Sequence, residues 1–334
     1  ANRRGLTPLL RAMGAGEARI VVMGDSNSEG FFLNQWDQRW MNVLRDKLRA
    51  RWNLQGDTGR GYLPATYNTL GATPPKPARG GAAGNTTPIT SLGGLGLRSM
   101  WMKGDGTVTW PSLTFSATTP LRVLINRRFG HGSIEILVDG VVKATVPSGG
   151  TDAIIVQDIT VTAGTHTVSA RGQGGATVQI AGIEHRTGQG VAVYDGALSG
   201  ATARTFTDPS PGQALHWSEV QRINPHLLIV ALGANDMAPG QSYSRTPQEW
   251  ENGLRAIVAL RDQHAPNAGL LLLHGAAPAN DPAGLDRVRE YEARARAALE
   301  DAPRTSILYL SSLWQPRLDH TYTLMTSDPD GWLT

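Results

Sequence analysis

The spacing of apolar positions changes along the chain, and each change predicts a change of architecture. Residues 19–24 (Arg-Ile-Val-Val-Met-Gly) are a short continuous apolar run closed by glycine. A run of that length without polar alternation predicts a strand buried on both faces, as in a parallel sheet. Residues 37–52 then follow a helical period. Trp40, Val43, Leu44 and Leu48 share one face, and Arg45, Asp46 and Arg49 lie on the other. The stretch 56–94 is rich in Gly, Pro, Thr and Asn. It reads as a long loop, and loops of that length in compact proteins usually serve function.

From about Leu95 to about His185 apolar and polar residues alternate, with many β-branched side chains. Segments 107–110, 121–125, 133–138, 141–146, 154–161, 166–171 and 176–184 each read as a strand. Asp139-Gly140, set between two of them, is a strong hairpin signal. Short strands punctuated by turns predict a small β-sandwich. Beyond it, apolar runs at 190–194, 227–232, 270–274 and 307–310 alternate with helical patterns at 211–222, 247–264 and 282–299. Each helical pattern begins at or near a proline, which suits a first helical turn, and Pro266 and Pro303 follow two of them. Such strand–helix alternation predicts parallel strands with helices on both faces. The organisation expected is one discontinuous α/β domain, residues 1–94 and 187–334, interrupted by a β-sandwich at 95–186. No internal repeat or low-complexity segment is visible.

Composition narrows the function. A chain of 334 residues, 40% hydrophobic and 18% charged, can bury a sizeable core. Its net charge is only +3, with the arginines scattered. Nucleic-acid binding is therefore not expected, because tracking phosphates needs clustered positive charge. With no cysteine in the chain, disulfides, thiol nucleophiles and thiolate metal sites are excluded. No apolar stretch reaches the ~20 residues that span a bilayer, and no signal peptide is visible at Ala1-Asn2-Arg3-Arg4-Gly5. No ligand spacing points to a metal or cofactor.

The candidate chemistry lies just beyond the predicted parallel strands. Ser26 sits two residues past the first, in Gly24-Asp25-Ser26-Asn27. Gly200 follows the strand ending near Tyr194, and Asn235 follows 227–232, in Gly233-Ala234-Asn235-Asp236. Loops at the carboxyl ends of parallel strands gather around one crevice. A serine hydroxyl needs a base to take its proton, and a tetrahedral intermediate needs donors aimed at its new charge. The N–H groups of Ser26 and Gly200 and the Asn235 side-chain amide are candidates for those donors.

These blocks resemble the SGNH (GDSL-type) hydrolases. Gly24-Asp25-Ser26-Asn27-Ser28 resembles the first family block, which implies that Ser26 is the nucleophile. Gly196-Ala197-Leu198-Ser199-Gly200-Ala201 resembles the second and Gly233-Ala234-Asn235-Asp236 the third, which implies oxyanion donors at Gly200 and Asn235. The fold implied is a flavodoxin-like three-layer α/β/α parallel sheet, here with an inserted, jelly-roll-like β-sandwich. The insertion resembles the carbohydrate-binding-type modules of some bacterial peptidoglycan and polysaccharide O-acetyl esterases. The last family block is Asp-x-x-His. This chain reads Asp330-Gly331-Trp332-Leu333-Thr334, so Asp330 matches and leucine stands where histidine is expected.

A base is still needed. One residue inserted after Trp332 would restore the spacing, as Asp-Gly-Trp-His-Leu-Thr. A second reading is a relative that binds without catalysis. A third uses another histidine. His320 is the best placed, after the last strand on the correct side of the sheet, and His274 ends the preceding strand. Around these, Asp25 is expected to cap the following helix, and Asn27 and Glu29 to line the entrance. Tyr62, Tyr67 and Asn85 are candidates for shaping the cleft. Trp101, Trp110 and Phe129 read as core of the sandwich, with stacking on sugar rings as the alternative.

The expected function is a serine ester hydrolase, with O-acetyl groups on cell-wall or capsular glycan as the favoured substrate. A lipase or thioesterase is the competing enzyme. A glycan-binding cell-surface or phage-tail component with a decayed site is the alternative outside enzymology. The expected location is secreted, cell-surface or virion-associated.

Overall fold

The apolar run that closes on Gly24 becomes the middle of a large sheet. A computed structural model describes residues 4–30, 33, 36–67, 77–274 and 284–310. In chain order its strands are β1 (Ala18–Gly24), β2 (Gly61–Pro64), β3 (Ala78–Gly80), β4 (Thr86–Ile89), β5 (Ser99–Met102), β6 (Thr107–Phe115), β7 (Thr119–Arg127) and β8 (Ser133–Val138). There follow β9 (Val141–Pro147), β10 (Ala153–Val161), β11 (Gly164–Gly172), β12 (Val178–His185), β13 (Val191–Asp195), β14 (Leu227–Leu232), β15 (Gly269–His274) and β16 (Thr305–Tyr309). The α-helices are α1 (Thr7–Gly14), α2 (Ser26–Glu29), α3 (Trp40–Arg51), α4 (Ala203–Thr207), α5 (Pro211–Ile223), α6 (Pro247–His264) and α7 (Gly284–Leu299).

Five parallel strands stand in the order β13-β1-β14-β15-β16. In chain order that is the 2-1-3-4-5 arrangement of flavodoxin-like folds. Alternate residues of the strands feed two cores. Val21, Met23, Leu228, Val230, Leu270 and Leu272 face Trp217, Trp250, Leu254 and Ile257 of α5 and α6. Ile20, Val22, Val191, Val193, Leu227 and Ile229 face Leu9 and Met13 of α1 and Met41 of α3. The sheet is thus covered on both sides, which is why these strands read as unbroken apolar runs. Helix starts follow their sequence signals. Thr246 and Glu249 form a capping box ahead of Pro247 in α6, and the Ser210 side chain accepts from Gln213 N–H ahead of Pro211 in α5.

The parallel strands do not end the sheet. β2 pairs in parallel with β13 and antiparallel with β12, and β12 leads on to β7 and β10. The result is one mixed eleven-stranded sheet, with β5 and β4 branching from β12. A separate five-stranded sheet, β3-β6-β11-β8-β9, packs across a third core of Trp110, Phe115, Val123, Ile125, Ile136, Val168 and Ile180. Asp139 and Gly140 both have positive φ at the β8–β9 turn, as a tight two-residue hairpin requires.

Two expectations fail here. The supposed loop 56–94 contributes β2, β3 and β4, and β2 is buried throughout. Its four residues, bounded by Gly61 and Pro64, are too few to show a period. The outward face assigned to Arg45 and Arg49 is also wrong, since both are buried. Arg49 donates to the Val191 and Gly59 carbonyl oxygens at 2.9 and 2.8 Å, so its burial is paired.

Candidate functional site

The carboxyl ends of β13, β1 and β14 form one rim, because their registers place Val22 beside Asp195 and Gly24 beside Ala231. Ser26 opens the one-turn helix α2, half-buried. Asp25 caps that helix, as its sequence position suggested: its Oδ1 accepts from Asn27 N–H at 2.9 Å. The segment after β13 returns along the rim. Gly196 N–H donates to Val22 O at 2.8 Å and Leu198 N–H to Gly24 O at 2.9 Å. Ser199 N–H donates to Glu29 Oε2 at 2.8 Å. Gly200 is exposed with φ +78°, and Ala201 N–H closes the turn onto Leu198 O at 3.0 Å. No described atom lies within 4 Å of where a Gly200 side chain would start. Backbone conformation, not crowding, calls for glycine there.

Asn235 stands in the turn after β14, half-buried, and donates from Nδ2 to Ala201 O at 2.9 Å. Its neighbour Asp236 accepts from Ala203 N–H at 3.1 Å. The Ser26, Gly200 and Asn235 segments are therefore joined to one another by hydrogen bonds. Asp330 and His320 lie outside the described residues. His274 is fully buried at the end of β15, against Trp250 and Tyr309.

Charge beneath this rim is concentrated and buried. Burial pushes the Asp25 carboxyl up to about 6, against its bonds to nearby N–H groups. Burial also pushes Asp236 up to about 7, and the Asp25 charge adds to the effect. Deeper still, Glu29, Arg39, Arg98 and Asp195 form one cluster in which no member exceeds 2% exposure. Arg98 pairs with Glu29 Oε1 at 3.3 Å and with Asp195 Oδ1 at 2.9 Å. Arg39 pairs with Asp195 Oδ2 at 2.6 Å and donates to Ser28 O at 3.0 Å. Burial opposes ionisation of Asp195, but the two arginines outweigh it and hold its carboxyl below the usual range. The Tyr67 ring lies under both guanidinium groups, 5.4 Å from Arg39 and 4.8 Å from Arg98.

Several side chains are not where the sequence suggested. Asn27 is exposed, but Glu29 belongs to the buried cluster rather than to the entrance. Tyr62 and Tyr67 are buried, and Asn85 Nδ2 donates to Asp105 Oδ1 at 2.7 Å. Trp110 is core, as read from the sequence, with Nε1 donating to Pro64 O at 3.3 Å. Phe129 is the opposite, 94% exposed. Arg39, Arg98 and Asp195 went unnoticed in the sequence. For two of them the signal was a charge at an apolar stretch, Arg98 between Leu97 and Ser99-Met100-Trp101 and Asp195 closing the apolar β13, whereas Arg39, after Asp37-Gln38, carried none.

Comparison with known proteins adds the following. Residues 159–332, just over half of the chain, match the model of the GDSL-like lipase/acylhydrolase family. That range includes Gly200, Asn235 and Asp330 and begins after Ser26. Among solved structures, a peptidoglycan O-acetylesterase caught in action at 5 min superposes with a TM-score of 0.66 at 17% identity, over 93% of this chain and 84% of that one. The likeness is one of fold. A family two carbohydrate esterase from Cellvibrio japonicus follows at a TM-score of 0.30 and 14% identity, over 70% of this chain and 88% of that one. No curated protein sequence matches. Among the described residues no helix is long and apolar enough to cross a membrane, and no group of His, Asp or Glu is arranged to hold a metal ion.

Proposed function

Because the chain belongs to the GDSL-like lipase/acylhydrolase family, we propose that it is a serine ester hydrolase acting through an acyl-serine intermediate, with an O-acetylated cell-wall or capsular glycan as substrate. The observation that carries the reading is the hydrogen-bonded rim. Ser26, Gly200 and Asn235 come from three distant parts of the sequence, and direct bonds couple their segments. The esterase substrate draws support from the fold shared with the peptidoglycan O-acetylesterase. The division into 1–94 with 187–334 and 95–186 is part of the proposal. It draws support from the core around Trp110 and Ile136, most of which comes from 95–186, with Leu63, Ala65 and Tyr67 of the first segment joining it.

In this mechanism Ser26 Oγ attacks the acetyl carbonyl carbon as a base takes its proton. The carbonyl oxygen becomes an oxyanion held by the N–H groups of Ser26 and Gly200 and by Asn235 Nδ2. Collapse breaks the ester C–O bond, and the sugar oxygen leaves with the proton. Water then attacks the acyl-serine, and acetate and free Ser26 result. Asp330 is assigned to orient the base. Where the family has histidine this chain has Leu333, and His320 is the substitute assigned to it.

The same leucine favours a second reading, a glycan-binding protein whose hydrolytic site has decayed. One experiment separates the two. The protein and its Ser26→Ala variant are given 4-nitrophenyl acetate and a panel of acetylated glycans, and a fluorophosphonate probe reports Ser26 reactivity by peptide mass. Turnover and labelling that vanish in Ser26→Ala support the hydrolase. Retention on glycan without either supports the second reading. Preference for long acyl esters or thioesters over acetyl glycans would move the assignment to a lipase or thioesterase.

A further inference from the structure

The buried charges beneath the rim form a closed circuit that begins and ends on the helix carrying Ser26. Glu29, on α2, gives one carboxylate oxygen to Arg98 at 3.3 Å and the other to Ser199 N–H at 2.8 Å. Arg98 reaches Asp195 Oδ1 at 2.9 Å, and that same oxygen accepts from Ala197 N–H at 3.0 Å. Asp195 Oδ2 meets Arg39 at 2.6 Å, and Arg39 returns to α2 through Ser28 O at 3.0 Å. Two cations and two carboxylates balance in charge. Burying them costs several kcal/mol per ion unless the geometry is well met. A hydrophobic cluster would fill the space with less penalty, so the circuit has a use other than bulk stability.

Its use follows from what holds Gly200. That residue is exposed, and apart from its chain neighbours no described atom lies within 4 Å of where its Cβ would stand. Hydrogen bonds on either side hold the turn instead: Ser199 N–H on Glu29, and Ala201 O on Asn235 Nδ2. Glu29 follows Ser26 by three residues, and Ser199 directly precedes Gly200. One carboxylate therefore ties the nucleophile's helix to the donor's turn. We infer that Glu29 is a positioning residue that sets the Gly200 N–H against Ser26 Oγ, with Arg98, Asp195 and Arg39 fixing the carboxylate. The inference rests on the hydrolase reading above. It adds to that reading a residue that touches neither substrate nor reacting atoms.

The test uses the whole chain with Glu29→Gln and Glu29→Asp. Glu29→Gln removes the charge. Glu29→Asp keeps the charge but is one methylene short, so it cannot serve Arg98 and Ser199 together. Each is measured by melting, by hydrolysis of 4-nitrophenyl acetate, and by hydrogen exchange at residues 196–201. If the oxyanion donor is misplaced, kcat falls about a hundredfold in either folded variant while KM stays within about threefold. The Ser199 amide then exchanges roughly tenfold faster or more, with α6 unchanged. A folded variant with wild-type kcat, or with wild-type protection at Ser199, overturns the inference. If neither variant folds, the circuit holds the fold rather than the site, and the inference also falls. Faster Ser199 exchange in a protein that shows no Ser26-dependent turnover at all would leave the anchoring in place and remove the hydrolase reading instead.

Discussion

Asn235→Ala offers the sharpest test of the oxyanion geometry. A primary amide has two N–H donors. One is committed to Ala201 O at 2.9 Å, which fixes the plane of the amide and leaves the other for a substrate oxygen. Truncation removes both. Loss of one oxyanion donor raises the barrier by about 3 kcal/mol, a fall of about a hundredfold or more in kcat. Loss of the bond to Ala201 costs about 1 kcal/mol of stability. The two effects separate experimentally, because the first is an activity loss in a folded protein and the second a small shift in a denaturation curve. Rates of Ser26 acylation and turnover with 4-nitrophenyl acetate, taken beside urea denaturation, give both. An interaction made only in the transition state lowers kcat and kcat/KM together. If kcat falls less than about tenfold, or the loss lies in KM alone, Asn235 is not the donor inferred here.

Other outcomes follow from packing and burial. In Gly24→Ala the new Cβ would lie 2.3 Å from Ser28 Oγ and 2.5 Å from Ser28 Cβ, so α2 must move. A destabilisation of about 1–3 kcal/mol is expected by denaturation, with slower labelling of Ser26; unchanged values on both counts would contradict the packing described. Trp217 is fully buried and its Nε1 donates to Phe206 O at 2.8 Å. Trp217→Ala should cost roughly 3–5 kcal/mol in urea, and a loss under about 1 kcal/mol would show that the α5 face is not core. Asp236 binds its proton more tightly when folded, since burial lifts it from 3.8 to about 7. Its contribution to stability is then full below pH 3.8 and lost as pH rises through about 7. Asp236→Asn should therefore gain stability relative to the wild type between pH 4.5 and pH 8, and an equal difference at the two pH values would refute the shift.

Much of the architecture was legible because local spacing and burial agreed. The strand 227–232 and the helix 247–264 were read to the residue, and 133–138 likewise. Proline and capping residues marked where helices begin, and Asp139-Gly140 marked its hairpin. Ser26, Gly200 and Asn235 stood out because each follows a readable strand by a few residues. What the sequence could not show was which distant partner a residue would meet. Glu29, Arg39, Arg45, Arg49 and Arg98 are charged, and charge in a linear pattern signals solvent. Each is buried where a distant part of the chain supplies an oppositely charged group or a carbonyl, which for Arg45 is the Arg60 carbonyl oxygen, alongside its pair with the adjacent Asp46. The joining of the alternating segment to the parallel sheet was equally hidden, since it depends on four residues, Gly61–Pro64, pairing on both edges. Sequence alone thus settled the central strands and long helices and the order of the candidate site residues, but not β2, β3 and β4, because periodicity and turn chemistry are local and need more than a few residues to show. Only the folded chain decided how those elements share one sheet and which charges lie inside it, because pairing and desolvation depend on neighbours that no short window contains.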